Sequence, residues 1–117
     1  ELEEKALITL PTISDGCVQN AHMFYLKVKN LEERTSLIKY LNNDDINAVF
    51  HYIPLHSSPA GLKFGEFVNK EMVNTIAESE RLIRLPIYYG FLLEDVLKIC
   101  QYIKNYFMEN KPYTQRI

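Results

Sequence analysis

Two imidazoles and a phenol stand close together in the stretch His51-Tyr52-Ile53-Pro54-Leu55-His56. Histidine and tyrosine can donate and accept hydrogen bonds, and histidine can change charge near neutral pH. The stretch also interrupts the apolar pattern of the chain. Two of the three histidines, two of the five prolines and two of the four glycines lie between residues 51 and 65, so this loop is conformationally constrained. Pro54 fixes φ near about −65° and removes a donor, and Ser58-Pro59 has the form of an N-cap followed by the first position of a short helix. A polar, aromatic loop at the end of an apolar strand is a common place for a scaffold to carry a ligand. The competing reading is that His51 and His56 only brace a surface loop. A metal is not expected, because a zinc pair on one helix face sits at i and i+4, whereas these histidines flank a proline and have no third ligand.

Other chemistries find no residues to rest on. The sequence has no Ser-His-Asp arrangement, phosphate loop or CxxC motif. A net charge of −2 with interspersed Lys, Arg, Glu and Asp gives no basic footprint, so nucleic acid is not an expected partner. No apolar run approaches the ~20 residues of a membrane span, and no signal-peptide pattern opens the chain. Cys17 falls in an expected loop and Cys100 on the expected apolar side of a helix, and two isolated cysteines point to a reducing, cytoplasmic setting. The 117 residues allow one domain. Because the sequence opens at Glu1 and not at a methionine, a segment cut from a longer protein is one expectation and a removed tag the other.

The elements that must position the loop follow from periodicity. Residues 6–10 could form a short strand ended by Pro11. Residues 22–29 alternate as a half-buried strand, with Phe24, Leu26 and Val28 opposed to Met23, Tyr25 and the lysines. His22, at its start, reads as a packed or edge histidine. Asn30 and Glu33 form a capping box that opens a helix with Leu31, Leu37, Ile38 and Leu41 on one stripe. Residues 46–50 are the second clear strand and deliver the loop, while 66–70 continue irregularly. Thr75 and Glu78 form another capping box, opening a helix expected to run to about Arg84, whose Glu78, Glu80, Arg81 and Arg84 are spaced for surface ion pairs. Residues 85–90 form a short apolar segment that Pro86 confines to an edge or a strand start. The longest helix is expected from Leu92 to about Glu109, with Leu93, Val96, Leu97, Cys100, Ile103, Tyr106 and Phe107 at helical spacing. Tyr88, Tyr89, Tyr102 and Tyr106 read as core or interface packing, since no basic residues interleave with them. The sum is an α+β, two-layer sandwich in which helices cover one face of a small, largely antiparallel sheet.

Several of these segments together resemble one family. The runs Asn20-Ala21-His22-Met23-Phe24-Tyr25, Val49-Phe50-His51-Tyr52-Ile53-Pro54-Leu55-His56, Pro59-Ala60-Gly61, Phe64-Gly65 and Glu78-Ser79-Glu80-Arg81-Leu82-Ile83-Arg84-Leu85-Pro86 are similar to the C-terminal small domain of DegT-type (StrS-like) nucleotide-sugar aminotransferases. Within the family the likeness is nearest to the dTDP-4-amino-4,6-dideoxygalactose transaminases of bacterial surface-polysaccharide synthesis, such as lipopolysaccharide and enterobacterial common antigen. The resemblance spans residues 6–107 and implies a homodimeric parent with a large pyridoxal-phosphate domain ahead of this small one. It also implies transfer of an amino group from glutamate to the keto carbon of a dTDP-linked 4-keto-6-deoxy sugar. The family's cofactor-holding lysine, its aspartate at the pyridine nitrogen and its phosphate ligands belong to the large domain. No catalytic role is therefore carried onto Lys63, Lys70 or any other lysine here, and no cofactor is expected in this segment alone.

The loop itself carries over. His51 and His56 match the histidines of the family's substrate-side loop, with Tyr52 between them, and the resemblance implies that these three face the sugar nucleotide. Neutral imidazole or phenol suits sugar hydroxyls, and an imidazolium would favour a diphosphate. One position departs from the pattern: Leu92 stands where Ser or Thr often caps the last helix, so that helix is expected to start more loosely or later. The alternative to a small domain of a transaminase is an independent α+β module that binds a ligand or regulates a partner without catalysis.

Overall fold

Three short antiparallel strands frame the chain in the computed structural model, which describes residues 1–66 and 71–109. They are β1 (Phe24–Lys27), β2 (Val49–Phe50) and β3 (Leu82–Leu85), in the order β1-β3-β2. The helices are α1 (Leu31–Asn42), α2 (Pro59–Phe64), α3 (Val73–Arg81) and α4 (Leu93–Glu109), with one 3-10 turn at Leu55–Ser57. In the centre, Leu26 pairs with Ile83 and Ile83 pairs with Phe50, so these three side chains share a face of the sheet. Leu26, Val28, Ile83 and Ala48 are buried there against Leu37 and Leu41 of α1 and Ile99, Ile103 and Tyr106 of α4. The opposite face carries Tyr25, Lys27 and Arg84. The alternation read from residues 22–29 thus matches the observed split between the faces, and the architecture is the expected α+β arrangement.

The caps explain where the elements begin. Asn30 is extended, and its Oδ1 accepts from the Glu33 N–H at 3.0 Å, while Glu33 Oε2 accepts from the Lys29 N–H at 2.8 Å. The box therefore closes one residue further out than the usual form, in which the glutamate returns to the cap itself. Ser58 caps α2 by accepting from the Gly61 N–H at 3.0 Å, with Pro59 at the first helical position. Leu92 offers α4 only its carbonyl, which accepts from Asp95 and Val96 at 3.1 and 3.2 Å, and the helix begins at Leu93.

Four readings of the sequence need correction. Residues 6–10 make a single bridge, Thr9 to Lys27, and no strand. Residues 46–50 form a strand only at Val49–Phe50, because the Asn42 side chain takes the Ala48 N–H at 2.9 Å and turns the preceding segment inward. The helix expected from Thr75 to Arg84 starts at Val73 with no side-chain cap, so Thr75 and Glu78 form no capping box, and it gives way at Leu82 to β3, the central strand, which takes Leu85 and leaves 86–90 outside any strand. Cys100 is exposed, as are Leu93, Val96 and Leu97, because α4 turns Ile99, Ile103 and Tyr106 to the core instead. His22 is exposed just ahead of β1. Of the segment read as irregular, 67–70 lies outside the described residues.

Tyr106 gives the core a pH signature. Its ring lies 5.4 Å from that of Tyr40, and burial pushes its phenol above the ordinary value of 10.0 despite a hydrogen bond with Ser36. The folded chain keeps this proton at a pH where the unfolded chain has begun to lose it. Stability from this group is therefore full below the unfolded value and is lost as pH rises through the folded one. The denaturation midpoint should therefore fall as pH rises above the ordinary phenol value of 10.0, and Tyr106→Phe should flatten that fall; an equal fall in the variant would assign the effect elsewhere.

Candidate functional site

The loop leaves β2 through a left-handed residue. Tyr52 has φ of 55°, a conformation that costs a non-glycine side chain roughly 1 kcal/mol or more, and it turns the chain away from the sheet edge. The ring ends up exposed, 4.9 Å from that of His51, with the Arg84 guanidinium 5.8 Å from its centroid. Beyond it, the Pro54 carbonyl accepts from the Ser57 and Ser58 N–H groups and from Ser57 Oγ, at 3.0 to 3.1 Å. Ser58 Oγ donates to the Leu55 carbonyl at 2.9 Å. These bonds close the turn that carries His56 and join it to the start of α2.

Two neighbouring pockets open on this loop. A pocket of about 260 Å³ is lined by His51, Tyr52 and Pro54 on one side and by Thr75, Glu78 and Leu82 on the other. A larger one of about 480 Å³ is lined by His56, Leu55, Phe64, Met72 and Thr75. Thr75 of α3 borders both. The structure thus brings His51 and Tyr52 together and places His56 in the adjoining compartment.

Arg34 braces the smaller pocket from behind. Its Nη1 donates to the Ser79 carbonyl of α3, and its guanidinium lies 5.2 Å from the centroid of Phe50. One side chain therefore ties α1, α3 and the end of β2 together. Burial lowers its pKa, partly offset by Glu80. Its Nε and the Nδ1 of His51 are buried without hydrogen-bond partners among the described residues. Two such atoms around one strand end are unusual, since each costs about 1–3 kcal/mol.

Reading the sequence missed the α3 side of the site. Thr75, Glu78 and Ser79 stand at i, i+3 and i+4, which places all three on one helical face toward the loop. That spacing was visible, but Glu78 read only as a surface ion-pair partner. It does pair: Glu78 Oε2 lies 2.9 Å from Lys27 Nζ of β1, and Oε1 lies 3.7 Å from Arg81 Nη1. Among the described residues, no group of three or more His, Cys, Asp or Glu could hold a metal ion, and no helix is long and apolar enough to cross a membrane.

Comparison with known proteins gives this arrangement a family. An uncharacterised protein of Methanocaldococcus jannaschii is 32% identical over 120 residues, covering 95% of this chain and 30% of its own length. NtdA of Bacillus subtilis, solved with its bound cofactor PMP, superposes with a TM-score of 0.72 at 26% identity, over 89% of this chain and 24% of that one. A DegT/DnrJ/EryC1/StrS aminotransferase of Brucella abortus has the same fold, with a TM-score of 0.74 at 21% identity over 87% of this chain and 26% of that one. The chain therefore spans less than a third of the length of the proteins it matches. The sequence model of the DegT/DnrJ/EryC1/StrS aminotransferase family matches residues 1–104, nearly the whole chain. By that match, the chain belongs to this family.

Proposed function

We propose that residues 1–117 are the C-terminal small domain of a pyridoxal-phosphate-dependent sugar aminotransferase, and that its 51–56 loop forms one wall of the substrate site. The observation that carries this reading is the loop itself: His51 and Tyr52 face one open pocket and His56 the next, on a chain whose family match is almost complete. The pockets do not suit the cofactor. Pyridoxal phosphate is held by a lysine together with a partner for its pyridine nitrogen. Among the described residues no lysine lines either pocket, and Lys27 is ion-paired to Glu78. In this reading the cofactor, which stabilises negative charge at the reacting carbon when bound, belongs to a further domain of the parent protein.

The parent moves an amino group from glutamate onto a dTDP-linked 4-keto-6-deoxy sugar, as in dTDP-4-amino-4,6-dideoxygalactose formation for surface polysaccharides, and acts as a cytoplasmic homodimer. In it, His51, Tyr52 and His56 bind the sugar nucleotide, while this segment alone is catalytically silent. Exposed Leu93, Leu97 and Phe64 are consistent with faces that meet more protein. The test is direct. A chain extended at its N-terminus should show the yellow colour of bound pyridoxal phosphate and aminate the keto sugar, and the 117-residue chain should do neither. Amine transfer by the short chain alone, or an extended chain that neither binds the cofactor nor aminates a nucleotide sugar, would overturn the proposal. In the extended enzyme, His51→Ala with His56→Ala should raise the KM for the keto sugar about tenfold or more, and unchanged kinetics would remove the loop from the site.

A further inference from the structure

The geometry points to Glu78 as a substrate-contacting residue that accepts hydrogen bonds from the ring hydroxyls of a single sugar unit seated beside Tyr52. This rests on the reading of the chain as part of a sugar aminotransferase, and it adds a specificity-determining residue from a different element.

Glu78 borders the same pocket as His51 and Tyr52, but it comes from α3 while they come from the end of β2. Its carboxylate is held in place from behind, with Oε2 on Lys27 at 2.9 Å and Oε1 within 3.7 Å of Arg81. Arg81 is itself fixed, since its Nε donates to the Val28 carbonyl at 2.8 Å. A carboxylate offers about four acceptor positions, so two cations leave about half of them unused. The side chain is also 47% exposed, which leaves those positions reachable.

The charge pattern selects the ligand. A cationic group seated here would meet Lys27, Arg81 and the Arg84 guanidinium at the Tyr52 ring, and an anionic group, such as the diphosphate of a nucleotide sugar, would meet the carboxylate and must lie elsewhere. A neutral donor of several hydroxyls meets neither objection. It finds an oriented acceptor in Glu78, a hydroxyl partner in Thr75 and the face of an exposed aromatic ring in Tyr52. At about 260 Å³ the space lies just below the ~300–1,000 Å³ of pockets for drug-sized ligands, which fits one substituted ring and not a longer glycan.

Glu78→Gln in the extended, cofactor-bearing enzyme keeps the shape and removes the charge. It should raise the KM for the nucleotide sugar about ten- to hundredfold and leave the KM for the amino donor within about twofold. A substrate analogue lacking the contacted hydroxyl should bind wild type and variant alike. Lys27→Met removes the tether but keeps the carboxylate, so its effect on the sugar KM should be clearly smaller than that of Glu78→Gln. If Glu78 only fastens α3 to β1, both variants should lower the melting temperature equally and leave the sugar KM unchanged, and the inference fails while amination continues. If the extended protein aminates no nucleotide sugar at all, the functional reading fails and this inference with it.

Discussion

Replacing Gly61 with alanine is expected to push the 3-10 turn off α2 and displace the loop that carries His51, Tyr52 and His56. The ordinary expectation has the opposite sign, because alanine is better than glycine inside a helix by about 1 kcal/mol. Here sterics decide. A Cβ on Gly61 would stand 1.6 Å from the Leu55 carbonyl oxygen and 2.7 Å from its carbon, with Ser58 Oγ at 3.1 Å. Two of these atoms are backbone, in a turn already closed by hydrogen bonds to the Pro54 carbonyl, so no side-chain rotation relieves the contact. Overpacking of this kind costs about 1–3 kcal/mol and sometimes more, which outweighs the gain in helix propensity. The variant should lose amide-exchange protection at Gly61 and Leu62, whose N–H groups bond Ser58. In the extended enzyme it should also weaken sugar binding. A variant with a raised melting temperature and intact protection would show that turn and helix do not press together as described.

The second large effect is expected from Ile83→Ala. Ile83 is fully buried in the strand that pairs with both others, between Leu26 and Phe50. Truncating such a residue removes packing from the sheet and from both covering helices at once, at a cost of about 2–5 kcal/mol. Domains of this size have only about 5–15 kcal/mol in total, so the chain should lose a large fraction of its stability or fail to fold. Leu55→Ala provides the contrast: that side chain is 76% exposed, and its loss should move the urea midpoint little. Equal shifts for the two variants would contradict the placement of β3 in the middle of the sheet.

That placement was the least legible part of the fold. Leu82-Ile83-Arg84-Leu85 follows α3 with no glycine, proline or turn residue between them, so a helical reading of the Glu78–Arg84 charges ran straight through the boundary. The strand is recognisable only from its partners, and pairing between distant residues leaves no local mark in a sequence. Where local chemistry decides, the sequence was clear: Asn30, Ser58 and Pro59 each act as their types require. Along α4, apolar residues lie on more than one face, and periodicity could not say that Ile99 would be buried and Leu97 exposed. The site divided in the same way. The candidates His51, Tyr52 and His56 lie within one six-residue stretch and could be picked out from it, whereas Glu78 reaches the pocket only because α3 lies alongside the loop.

The strand order also bears on how the chain is made. Phe24 meets Leu85 and Val49 meets Arg84, so the segment that joins the other two is the last of the three to be synthesised. Until residues 82–85 emerge from the ribosome, β2 has no ladder partner and β1 has only its bridge to Thr9, and the apolar side chains of α1 lack the β3 and α4 residues they later pack against. A nascent chain paused before that point presents two strand edges without the central strand that joins them, the kind of edge that pairs with other chains.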